Sequence, residues 1–244
     1  MLATDPLAPV LELPGVTDAV ARVRDALAAV HNHPANLRGR SANAAEAGVR
    51  AARASAALDG APLDDTGSHP VLAGAVRVAD GAARLLAVWR TSPSQALARL
   101  HVLAAADLVP ADRHDAELGR PRAGDGVAQR LGLLAELVIG ATRAPAPVLT
   151  AVVHGELLSL APFGTADGVV ARAAARLTAV AAGLDPQGLG VPEVGHLRHA
   201  AEYRRAAAGF GTGSADGVGT WVLHCCDQWE AGAREALSIA DTRS

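Results

Sequence analysis

Residues Ala161-Pro162-Phe163-Gly164-Thr165-Ala166-Asp167-Gly168-Val169-Val170-Ala171-Arg172 bring together the groups that can hold an anion. Two glycines bracket a hydroxyl and a carboxylate, and an apolar run ending in an arginine follows. A Gly-containing turn that feeds a helix leaves the first N–H groups of that helix without intrahelical partners, and they attract negative charge. His154 lies seven positions before Ala161. It is a candidate base, although a lone histidine in an apolar helix is more often a hydrogen-bonded core residue.

Other groups carry weaker signals. His31-Asn32-His33 and His196-Leu197-Arg198-His199 space imidazoles at i,i+2 and i,i+3, with no cysteine or carboxylate at a zinc-site spacing, so surface histidines are expected. His224-Cys225-Cys226-Asp227 is denser, but one helix cannot wrap a tetrahedral ion with consecutive residues, so buried inert thiols are expected. No metal site is expected. The run Gly209 to Gly219 follows no strand and fails the context of a dinucleotide-binding turn. All 22 Lys+Arg cations are arginine, which excludes Schiff-base and Walker-lysine chemistry.

The elements that must position these residues read as helices throughout. The expected spans are from near Thr17, as N-cap, to Pro34, then Ser41 to Leu58, Pro70 to Val88 and Ser94 to Ala106. Then come Val127 to Ala141 as a central buried helix, Val148 to Leu160, Val169 to Ala182, His196 to Ala207 and Trp221 to Ala240. Val109 to Asp125 is expected to be an irregular loop, and Phe210 to Gly219 a Gly-rich one. No alternating strand pattern occurs. The expectation is an all-α bundle of about eight helices with no substantial sheet: an extended N-terminal arm over 1–15, then one domain over 16–244 with its core motif in 127–186.

The loop resembles, in register, the Fic signature HPFx(D/E)GN(G/K)RxxR. Pro162, Phe163, Gly168 and Arg172 match it. Upstream, Ser55-Ala56-Ala57-Leu58-Asp59-Gly60 resembles the inhibitory motif (S/T)xxxE(G/N) of many Fic proteins, with Asp59 in place of Glu. The resemblance implies a Fic/Doc-type fold and a site that in active members holds ATP and Mg²⁺ for AMP transfer. It also implies what is missing. Ala161 stands where the family has its basic histidine, and losing a general base costs about 10²–10⁴ in rate. Thr165 replaces the metal carboxylate, Ala166 a glycine, Asp167 the asparagine and Val169 the first arginine. Arg172 and Asp59 remain. The expectation is that they pair as a fixed lock; the alternative is two solvated charges at helix ends. Leu118-Gly119-Arg120-Pro121-Arg122 falls where the family carries the flap that aligns target segments.

Composition sets the limits. Hydrophobic residues make up 50% of the 244, but aromatics only 2%, so the core must be built from Ala, Leu and Val. A net charge of −3 suggests no nucleic-acid face and no polybasic membrane patch. Two adjacent cysteines and the lack of a signal-peptide pattern at the N-terminus suggest a reducing, cytoplasmic setting. Three readings follow. The first is a degenerate, catalytically inactive Fic-fold protein needing no cofactor and acting on an unknown protein partner, as a homodimer if it follows the family habit. The second is an active AMP transferase that uses ATP/Mg with His154 as base and Arg172 as phosphate anchor. The third is an unrelated helical domain.

Overall fold

The computed structural model describes residues 5–65, 67–124 and 126–242. Twelve α-helices and no strand occur among them. They are α1 (Ala8–Leu11), α2 (Val16–Asn32), α3 (Pro34–Leu58), α4 (Pro70–Thr91), α5 (Pro93–Ala105), α6 (His114–Glu117), α7 (Val127–Glu136), α8 (Ala146–Leu160), α9 (Asp167–Ala181), α10 (Pro192–Arg198), α11 (Ala200–Gly211) and α12 (Ala215–Thr242). None is long and apolar enough to cross a membrane.

The centre is the antiparallel pair α8 and α9. In α8, Val148, Leu149, Ala151, Val152, Val153, Leu157 and Leu160 are buried in succession, which is the pattern of a helix enclosed on all sides. In α9 the buried set is mostly alanine and valine, so its neighbours approach closely. Around this pair, α4 packs on α5 with Gly74 directly against the Ala104 carbonyl, where a side chain would not fit. α2 packs on α12, and α10 and α11 fold back onto α12.

Four expectations are corrected. The stretch from 127 to 141 is peripheral: Val127, Leu131 and Leu134 are buried, but Leu133 and Ile139 are 54% and 55% exposed, and the helix loosens after Glu136 into a wider turn, Leu137–Ala141, interrupted at Gly140. The N-terminal segment is not extended. Residues 1–4 lie outside the described set. The Asp5 carboxylate accepts from Leu7 N, Thr142 Oγ1 and Arg143 N, which folds α1 onto the core with Leu7 buried. Pro34 opens α3 rather than merely ending α2: it sits at the first helical position, where its missing N–H is harmless, and α3 then runs through a kink at Gly39. Gly15, at φ +78, takes the N-cap position expected of Thr17.

Two expected loops are also partly helical. The stretch from 109 to 124 holds a 3₁₀ turn, Ala111–Arg113, and α6; Asp125 lies outside the described residues. In the run 209–219 only Thr212 to Ser214 is non-helical, because Gly217 packs directly on the Gly209 backbone and lets α11 and α12 close into a tight hairpin.

Candidate functional site

The segment after α8 begins with a left-handed residue. Ala161 caps α8 at φ +42, its N–H reaching Leu157 O at 3.0 Å. Gly164 (φ +79) and Ala166 (φ +52) turn the chain again into α9. Ala166 thus adopts the geometry that favours glycine despite its methyl, at a strain of roughly 1 kcal/mol.

Asp167, the first residue of α9, turns its carboxylate back into this loop. Phe163 N donates to Oδ1 at 2.9 Å and Gly164 N to Oδ2 at 2.7 Å. Burial pushes the Asp167 carboxyl up, and these two amides with the nearby Arg122 hold it down. Two backbone donors of the loop, the Phe163 and Gly164 amides, are therefore already occupied by a carboxylate of the chain itself.

A second carboxylate sits one residue further on. α3 ends in a Schellman turn: Gly60, at φ +95, donates to Ala57 O and Ala61 N to Ala56 O. This presents Asp59, the C-cap residue, to the start of α9. A methyl placed on Gly168 would lie 2.5 Å from both Asp59 oxygens, so a larger residue there must displace the carboxylate. Asp59 Oδ2 meets Arg172 Nη2 at 2.8 Å. The expected Asp59–Arg172 pair is present.

Arg172 is 2% exposed, and each of its three nitrogens has a partner. Nε donates to Ser55 Oγ at 2.8 Å, Nη2 to Ser55 O at 2.9 Å as well as to Asp59, and Nη1 to Tyr203 OH at 3.1 Å. The Tyr203 hydroxyl also bonds His154 Nε2 at 2.9 Å. His154 is 3% exposed, and burial followed by the charge of Arg172 keeps it neutral well below its ordinary range. Its ring lies among His196, Tyr203 and Trp221, which makes it a core hydrogen-bonding residue without an open path to a substrate. His196 Nδ1 continues to His224 Nε2 at 3.2 Å.

On its other side the loop is held by residues that its own sequence does not suggest. His101 from α5 stacks on Phe163 with ring centroids 4.2 Å apart. Its Nδ1 accepts the Gly119 N–H at 2.9 Å, so the ring proton sits on Nε2 and is donated to Thr165 Oγ1 at 3.0 Å. Thr165 is thereby a hydrogen-bond partner for a buried imidazole. Burial pulls His101 down to about 4. Arg122 donates Nε to Ala161 O at 3.0 Å, Nη2 to Leu160 O at 3.2 Å and its backbone N to Pro162 O at 2.7 Å, and its side chain lies over Gly164. The segment 118–122 is closed onto the loop. Both of its arginines are exposed, and Arg122 is the one that bonds the loop.

Sequence reasoning brought Ser55, Asp59, Gly60, Gly168 and Arg172 to one place. It missed His101 and Tyr203. Tyr203 did carry one signal, being the chain's single tyrosine. Cys225 and Cys226 are free and buried, and burial pushes the Cys226 thiol up to about 12. Among the described residues, no group of three or more His, Cys, Asp or Glu side chains is placed to hold a metal ion.

No protein-family model matches the sequence, and no curated protein matches it. Solved structures do. A Fic family protein from Desulfovibrio desulfuricans superposes with a TM-score of 0.73 at 21% identity, covering 92% of this chain and 74% of that one. Fic-1 from C. elegans superposes with a TM-score of 0.67 at 15% identity, covering 94% of this chain and 74% of that one. The chain has the all-helical Fic fold.

Proposed function

We propose that this is a Fic-fold protein that transfers no nucleotide and acts as a protein-interaction or regulatory module. One observation carries the reading: the Asp167 carboxylate fills the loop amides of Phe163 and Gly164, where an incoming phosphate would need them. Two further features support it. Asp59 sets a second carboxylate against Gly168 and holds Arg172, so that guanidinium is not free for a phosphate. Ala161 has no proton acceptor to offer a target hydroxyl, and His154 is buried with Tyr203 as its partner.

The residues present do not fit ATP–Mg²⁺. Thr165 offers one hydroxyl to a hard cation and already bonds His101. Neither nucleotide nor metal is therefore given a role. Isothermal titration of the full chain with ATP–Mg²⁺ tests the proposal. No heat of binding up to millimolar nucleotide is the expected result; a saturating isotherm with micromolar Kd would overturn it.

A further inference from the structure

Three buried histidines meet around the chain's single tyrosine. The Tyr203 ring lies 5.6 Å from that of His154, 4.7 Å from His196 and 6.0 Å from His224, centroid to centroid. The imidazoles come from α8, α10 and α12, and Tyr203 from α11. Tyr203 is also what anchors its helix. Of the 12 residues in α11, Tyr203 and Ala206 are the buried ones. An element with so few buried side chains belongs to the low-stability end of local opening.

The hydrogen bonds in this cluster depend on ring nitrogens without protons. The Tyr203 hydroxyl accepts from Arg172 Nη1 at 3.1 Å, which leaves its own proton for His154 Nε2 at 2.9 Å. His196 Nδ1 and His224 Nε2 share one proton across 3.2 Å. A proton on His154 Nε2 would set two donors against the Tyr203 oxygen. Protons on both His196 and His224 would set N–H against N–H.

The charges around the rings do not compensate such protons. Arg172, on α9, repels the charged forms of His154 and His196, and Asp59, at the end of α3, is already engaged by Arg172. Burial keeps the Cys225 thiol of α12 protonated. Glu202 of α11 draws His224 upward, and His199, between α10 and α11, opposes it. Burial prevails at all three rings. It pulls His224 down to about 4 and keeps His154 and His196 well below their ordinary range.

We infer that α11 is an acid-released latch: neutral His154, His196 and His224 hold Tyr203 down, and their joint protonation lifts α11 and withdraws Tyr203 from Arg172. Lifting Tyr203 uncovers all three rings, which in water take protons near pH 6.5. Between about pH 6 and 4 the closed form refuses three protons that the open form binds. The opening constant therefore rises by up to about 1000-fold for each pH unit of acidification. Arg172 is then left with Ser55 and Asp59 alone.

Amide hydrogen exchange of the full chain between pH 7 and 4, corrected for the intrinsic pH dependence of exchange, tests the latch. The expected result is that α11 loses protection with a slope of about three protons while α9 stays protected. His224→Gln, at the outer edge of the cluster, keeps a partner for His196 and should lower the slope by about one proton, to about 100-fold per pH unit. His154→Gln keeps an acceptor for the Tyr203 hydroxyl and should do the same; circular dichroism checks both folds, and either variant alone decides. A slope of one proton or less in the wild type, an unchanged slope in a folded variant, or loss of α11 protection only together with α9 would overturn the proposal. The readout involves no nucleotide, so its failure is separate from that of the ATP titration.

Discussion

Replacing Gly168 by alanine should change the sign of its effect according to the residue at position 59. With Asp59 present, the new methyl would lie 2.5 Å from both carboxylate oxygens, so the carboxylate must move and its 2.8 Å contact with Arg172 is lost. In an effective dielectric of 20 the pair is worth at most about 4 kcal/mol at 4 Å. Asp59 is 26% exposed, and water takes over part of the role, which reduces the loss to about 2 kcal/mol. Alanine in a helix is preferred to glycine by about 1 kcal/mol, which leaves Gly168→Ala destabilising by about 1 kcal/mol. In an Asp59→Ala background the clash is gone and only the helix preference remains, so the same substitution should stabilise by up to about 1 kcal/mol. The coupling is about 2 kcal/mol, or about 4–8 °C in Tm for a chain of this size. Urea unfolding of the wild type, both single variants and the double variant measures it. Effects that add to within about 0.5 kcal/mol would refute the reasoning, because they would mean that the carboxylate does not bear on Gly168 in solution.

Other outcomes follow from the same geometry. Ala166→Gly should stabilise the protein by roughly 1 kcal/mol, by relieving the left-handed backbone at φ +52; a loss of stability in urea unfolding would contradict that strain. His101 and His224 are each pulled down by burial to about 4, whereas both take a proton near 6.5 when unfolded. Between those values the unfolded state binds protons that the folded state refuses, so stability is full above about pH 6.5 and falls as pH drops toward about 4. His101→Asn, which keeps an acceptor for Gly119 N–H, should flatten that slope by up to one proton; an unchanged slope in unfolding free energy against pH would count against a neutral His101. Neither cysteine should react with a thiol reagent in the native protein, because burial keeps both thiols protonated; labelling in the absence of denaturant would show otherwise.

The Asp59–Arg172 pair was legible only through the resemblance of both segments to Fic motifs, since nothing in the local sequence joins two residues so far apart. His101 and Tyr203 were not legible. Their partners Thr165 and Arg172 are 64 and 31 residues away, and nothing in the local sequence specifies such contacts. The role of 127–141 was misread for a related reason. Apolar content says that a helix has a face to bury, but Leu133 and Ile139 show that it does not say how many faces find neighbours. The run 209–219 misled in the opposite direction. Its glycines read as loop formers, yet Gly209 and Gly217 serve the close approach of two helices. The sequence shows a carboxylate at Asp167 but not its direction, which depends on a turn of three residues that only the fold sets.

Arg122 gives the C-terminus of α8 an unusual dependence. The last carbonyls of a helix are normally satisfied by the next few residues, but those of Leu160 and Ala161 rest on a side chain 38 and 39 positions upstream. The same residue grips Pro162 through its backbone, and its neighbour Gly119 is tied to His101. The segment 118–122 and the loop 160–165 are therefore mechanically one part, although they are far apart along the chain. A pull on one is a pull on the other. Removing the segment 118–122 would therefore uncap the central helix as well as expose the loop.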